Sequence, residues 1–170
     1  FNMKIHTLLA VLGFCVCVGG CAGRAALKPQ EELAKAQEAA TLLEEVSARM
    51  HRYYHNTDKV LFETSAEHVL DLIDMQLPGY AFAGSDAYTM DYILSLNMQT
   101  DSGNLVGGTT ATLWRRNPQK TAQGAAAELY SLGIQTVHQP HIVYKYCHPA
   151  SAVGRQVCDA LKARGFEYKE

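Results

Sequence analysis

The run from Tyr88 to Gln99 constrains the fold most. Tyr88, Met90, Tyr92, Leu94, Leu96 and Met98 alternate with Thr89, Asp91, Ser95, Asn97 and Gln99. A period of two gives a strand with one buried and one wet face. A sheet of such strands is predicted to be antiparallel, and its dry face needs a second layer. Residues 29 to 54 supply a candidate. Leu33, Ala36, Ala40, Leu43, Ser47, Met50 and Tyr54 recur at spacings of three and four, with Leu42 and Val46 widening the stripe. Pro29 suits the first helical turn, and Glu31 and Glu32 lie near the positive end of the helix dipole. At 1.5 Å per residue this helix is roughly 40 Å long, and its stripe is expected to lie on the sheet. A coiled-coil stalk is the weaker reading, because Ala and Ser in the seam make a poor zipper.

The remaining elements follow from turn chemistry. Thr64-Ser65-Ala66-Glu67 reads as a capping box opening a short helix that carries Val69, Leu70, Ile73 and Leu77 and stops at Pro78-Gly79. Asp101-Ser102-Gly103-Asn104 makes a turn, and residues 105–116 return as a second strand. A third helix is predicted over 121–132 from Ala122, Ala125, Ala126 and Leu129, with Gly133 as its C-terminal cap. Residues 134–138 and 141–147 read as strand around Pro140. Ser151 caps a last helix with Val153, Val157, Cys158 and Leu161, closed by Gly165. The predicted class is α+β: a long N-terminal helix on a small antiparallel sheet of three to five strands, with a C-terminal strand-helix unit closed by a disulfide.

The N-terminus indicates export. From Met3, with Phe1 and Asn2 upstream of it, Lys4 gives a basic start, Leu8 to Val18 an apolar run, and Gly19-Gly20 small residues before Cys21. The apolar run is about half the roughly 20 residues that a membrane span needs. Val18-Gly19-Gly20-Cys21 resembles the lipobox of bacterial lipoproteins. That resemblance implies cleavage after Gly20, a lipid on Cys21 and a protein held to a bilayer. Ala22 at the next position implies sorting to the outer membrane, by the rule of enteric-like bacteria. Several acyl chains hold firmly where one binds marginally, at about 0.8 kcal/mol per buried methylene. The predicted organisation is a signal peptide over 1–20, a lipidated Cys and tether over 21–28, and one domain over 29–170.

Of five cysteines, Cys15 and Cys17 fall in the predicted signal peptide and Cys21 is the one the lipobox resemblance assigns to the lipid, leaving Cys147 and Cys158. An even remainder in an exported chain predicts a disulfide. Lys4 is the only Lys or Arg in residues 1–20, so the remainder carries 14 Lys+Arg against 17 Asp+Glu. That balance gives no footprint for nucleic acid.

Few constellations carry chemistry. His51 and His55 lie one helical turn apart, a spacing that can grip a metal; His138 and His141 flank Pro140, and His148 follows Cys147. Against this, a histidine suits the last turns of a surface helix without any metal, and no His-Glu-x-x-His or Cys-x-x-Cys-His signature is present. Ser85, in Ala83-Gly84-Ser85-Asp86, lacks the second Gly of a nucleophile elbow. Gly107-Gly108-Thr109-Thr110 has no Lys or helix to make a phosphate loop. Asp71, Asp74, Asp86 and Asp91 are dispersed. No catalytic residue and no cofactor are expected.

The element order over residues 29–165 resembles the globular part of type IV pilins and pseudopilins. Three stretches carry the likeness: Ala48-Arg49-Met50-His51-Arg52-Tyr53-Tyr54, Thr112-Leu113-Trp114-Arg115-Arg116, and the closure from Cys147 to Cys158. Filament subunits carry a Glu at the fifth place, where this chain has Ile5. The likeness therefore implies a lipoprotein with a pilin-like head. The functional expectation is a non-catalytic envelope lipoprotein, in the outer membrane, that works through protein contacts, such as a secretion or pilus assembly accessory. Leu33, Leu43, Met50 and Tyr54 on the first helix and the aromatic sheet face (Tyr88, Tyr92, Trp114, Tyr144, Tyr146) are its candidate contact surfaces. The competing expectation is a small-ligand or metal-binding lipoprotein using His51, His55, His138 and His141.

Overall fold

The computed structural model describes residues 27–56, 65–83, 91–99, 107–119 and 128–169. The predicted signal peptide, Cys21 and Ser85 lie outside the described residues, as do Tyr88, the predicted 101–104 turn and the start of the predicted third helix.

Helix α1 runs Pro29–Asn56, as its stripe predicts, and α2 spans Ala66–Leu72. Six strands follow in one sheet ordered as in the chain: β1 Tyr80–Phe82, β2 Tyr92–Gln99, β3 Gly108–Arg116, β4 Glu128–Val137, β5 Ile142–Pro149 and β6 Glu167–Tyr168. Helix α3, Ala152–Leu161, lies between β5 and β6, with a 3-10 turn over Lys162–Arg164. The α+β class holds, but the sheet is larger than expected and mixed. Strands β2 to β5 are antiparallel, whereas the short edge strands β1 and β6 pair in parallel with β2 and β5. Three residues and two residues are too few to show a period, so both edges escape pattern reading.

All three helices pack on one sheet face and share one core. Tyr92, Leu94, Leu96 and Met98 of β2 point into it, matching the predicted alternation, and meet Leu113, Leu132 and Ile134 from the next two strands. From α1 the core takes Ala36, Ala39, Ala40, Leu43, Val46 and Met50. This overturns one expectation. Leu43 and Met50 are fully buried inside their own domain, so they are unavailable as contact residues, and Leu33 and Tyr54 are half-buried at the margin. The helix stripe binds the sheet.

Three further expectations are corrected. Residues 128–132 are strand, not helix, because β4 is central: Leu129 to Ile134 are buried on both faces, and a doubly buried strand loses its alternation. Gly133 is no helix cap; it lies mid-strand under the Tyr146 ring, which occupies the space that a Cβ would need. Helix α2 is capped by Ser65, whose hydroxyl accepts from His68 N–H at 3.3 Å, and ends at Leu72, before Leu77. At the C-terminus the reading stands. Ser151 Oγ accepts from Gly154 N–H at 2.9 Å, and Gly165 closes the unit with φ 83°.

Cys147 and Cys158 form a disulfide that pins α3 to β5 across a Cα–Cα distance of 5.5 Å. Closing this short loop stabilises by about 3 kcal/mol on the chain-entropy model. Among the described residues no helix is long and apolar enough to cross a bilayer.

Candidate metal centre

The last two turns of α1 reach past the end of β4, where the β4–β5 turn folds up against them. Four histidines meet there. His51 and His55 share one face of α1, while His138 and His141 stand at the two ends of the turn that holds the cis Gln139–Pro140 bond. His51 Nδ1 lies 3.0 Å from His138 Nδ1, a contact between residues 87 apart in sequence. The two rings stack at 5.0 Å, and the His55 and His141 rings lie 4.3 and 4.4 Å from that of His51.

The nitrogen geometry approaches that of a ligand set. One nitrogen from each of His51, His55 and His138 falls within 4.8 Å of the others. Around a tetrahedral ion with bonds of 2.0–2.1 Å, ligand nitrogens stand about 3.3 Å apart. The His51–His138 pair is already near that spacing. His55 is exposed, so a side-chain rotation can bring its ring inward.

The supports differ among the ligands. His138 is buried, and Tyr54 stacks on its ring at 3.3 Å with the planes 9° apart. Its backbone N–H donates to the Gly107 carbonyl at 3.2 Å, which ties the site to the start of β3. Beneath it, Ser47 and Thr136 hydroxyls meet at 3.4 Å. Burial, with the neighbouring His55 and His141, holds the His51 imidazole below its ordinary pKa of 6.5. It is therefore neutral at pH 7, the state that binds metals. The carbonyl end of the α1 dipole points at the cluster and favours a cation there.

Beside the histidines runs a groove of about 660 Å³. His51, His55 and His141 form one end; Ile134, Thr136, Val143 and Lys145 form its floor, and Glu44, Ala48 and Arg52 its α1 wall. Glu44 anchors that wall, accepting from Lys145 Nζ at 2.9 Å and from Arg164 at 2.6 Å. Although partial burial opposes it, these two cations hold the Glu44 carboxyl below the usual range.

A second cluster of charge is structural. Arg115 on β3 is 1% exposed and makes a bidentate pair with buried Glu32 of α1, at 2.8 and 2.7 Å. Burial alone would lower the Arg115 pKa, but Glu32 and the more exposed Asp91 leave it raised. Beneath the pair, burial pushes the Tyr92 phenol up to about 12, against hydrogen bonding to Tyr130 and the charge of Arg115. Glu32 and Arg115 are both buried in the domain's interior. The other residues weighed for chemistry do not converge: Gly108 to Thr110 are ordinary β3 residues, and His148 lies at the far end of β5 with Nδ1 2.8 Å from the Lys169 carbonyl.

No protein-family model, curated protein or solved structure matches the chain.

Proposed function

We propose that this is an exported lipoprotein, held to a membrane through Cys21, whose domain binds a transition-metal ion at His51, His55 and His138. The observation that carries this is the convergence of three imidazole nitrogens from α1 and the β4–β5 turn within 4.8 Å. Imidazole donors suit zinc, copper or nickel better than magnesium or calcium. The anchor rests on the lipobox-like Val18-Gly19-Gly20-Cys21.

Titration of the purified protein with Zn(II) in a calorimeter is expected to give one site. Replacing His51 or His138 by alanine should weaken binding at least tenfold, since each removes a ligand. His148→Ala should leave it unchanged. Affinity should fall as the pH drops below about 6.5, where protons compete for imidazole. The depressed His51 pKa adds a linked effect in the metal-free protein. Between the unfolded value of 6.5 and the lower folded one the unfolded chain binds the proton first, so stability declines as pH falls through that window. Binding unchanged in His51→Ala or His138→Ala would overturn the reading. Mass spectrometry of membrane-extracted protein should find acylated Cys21, and an unmodified N-terminus would remove the anchor.

The reading through protein contacts keeps one specific support, at a different place from α1. Ile142, Val143 and Tyr144 are 37, 45 and 52% exposed in succession along β5, and β6 pairs only with Tyr146 and Cys147. An apolar stretch on a sheet edge is a template for another strand. On this reading Tyr144→Lys lowers concentration-dependent association in sedimentation; identical profiles for variant and parent would dismiss it.

A further inference from the structure

Three of the four histidines face the groove and one does not. His51, His55 and His141 line it, whereas His138 sits behind them, buried under Tyr54. The three-nitrogen cluster comprises His51, His55 and His138 without His141. A tetrahedral ion on those three nitrogens keeps one position, and two of the three ligands, His51 and His55, also line the groove. At about 660 Å³ it is within the range of small-molecule sites.

The chemistry of the walls narrows what fits. Glu44 and Lys145 neutralise each other, with Arg164 as the second cation on Glu44. Arg52 lines the groove, next to His51 in sequence and about one turn before His55, and makes no ion pair among the described residues. The charge left over is therefore positive: the bound ion and a guanidinium whose planar fork matches a carboxylate. Ile134 and Val143 add an apolar floor.

We propose that the metal's remaining position opens into this groove and takes the carboxylate of a small organic acid. Arg52 meets its charge, and Ile134 and Val143 carry its apolar body. The inference rests on the metal reading above and adds to it the class of ligand. It makes the centre one that binds a metal together with an organic acid, in place of a closed structural site with His141 as the fourth ligand.

Cobalt(II) as the ion and benzoate as the acid test this, because benzoate offers a carboxylate and an apolar body with no second donor. Cobalt-loaded protein should show a saturable change in its visible spectrum as benzoate is added, with the ion retained after desalting. Arg52→Ala should weaken benzoate binding about tenfold, the scale of one charge-assisted hydrogen bond. Val143→Trp, which fills the floor, should abolish it. Both variants should bind cobalt as the parent does. Failure of cobalt to bind would overturn the metal reading and this inference together. A cobalt spectrum indifferent to benzoate would overturn this inference alone and leave the metal site standing. So would benzoate binding unaltered in both variants.

Discussion

Replacing Glu32 by alanine is expected to cost about 3–5 kcal/mol, because it strands a buried guanidinium without its partner. Arg115 is almost fully enclosed, and its remaining acidic neighbour, Asp91 at 3.1 Å, is more than half exposed. Small domains are stable by only about 5–15 kcal/mol, so the variant should be close to unfolding at room temperature. The double variant Glu32→Met with Arg115→Met separates two causes. Removing both charges leaves apolar groups of similar length, and such replacements are commonly neutral or stabilising by about 1–4 kcal/mol. Urea unfolding reads the difference through the midpoint at constant slope. A Glu32→Ala midpoint equal to that of the parent would mean that water reaches Arg115.

Gly154→Ala in α3 should be nearly as damaging, and its sign is informative. Inside a helix, alanine ordinarily stabilises relative to glycine by about 1 kcal/mol. Here a Cβ would collide with the Leu129 carbonyl oxygen of β4. That oxygen also accepts from Ser151 Oγ and from Ala150 N–H, each at 3.0 Å. Relieving the collision means lifting the first turn of α3 off the sheet, which breaks both bonds and strains the attachment at Cys158. The expected loss is about 3 kcal/mol, from overpacking together with a buried acceptor left unmet. A thermal melt under oxidising conditions measures it, and a raised melting temperature would refute the close approach.

Where the sequence spoke clearly, one local rule governed. The α1 stripe, the β2 alternation, the Ser151 cap and the Cys147–Cys158 pair each depend on neighbours in sequence or on simple arithmetic. β4 misled because its burial comes from both sides, which only the finished sheet decides. Glu32 misled for the same reason. Read locally it is a first-turn acid on a helix dipole; in the fold it is the buried partner of a residue 83 positions away. The candidate site was legible in halves. His51 with His55, and His138 with His141, are visible as pairs, but their union requires α1 to lie across the end of β4. The groove was not legible at all, since its walls come from α1, β4 and β5. Nor did local reasoning find the Glu44–Lys145–Arg164 junction, whose members are scattered over the chain.

The Tyr54 ring laid flat on His138 has a consequence for how readily an ion is captured. An imidazole enclosed between a phenol and a second imidazole has surrendered its rotational choices before any ion arrives. His51, tied to it at 3.0 Å, has surrendered most of its own. Only the exposed His55 must still be ordered, at a cost of about 0.5–1.5 kcal/mol for one side chain. Capture is then a landing on two fixed donors followed by the swing of a third. The entropy that a flexible loop would lose at that moment was lost once, when the chain folded.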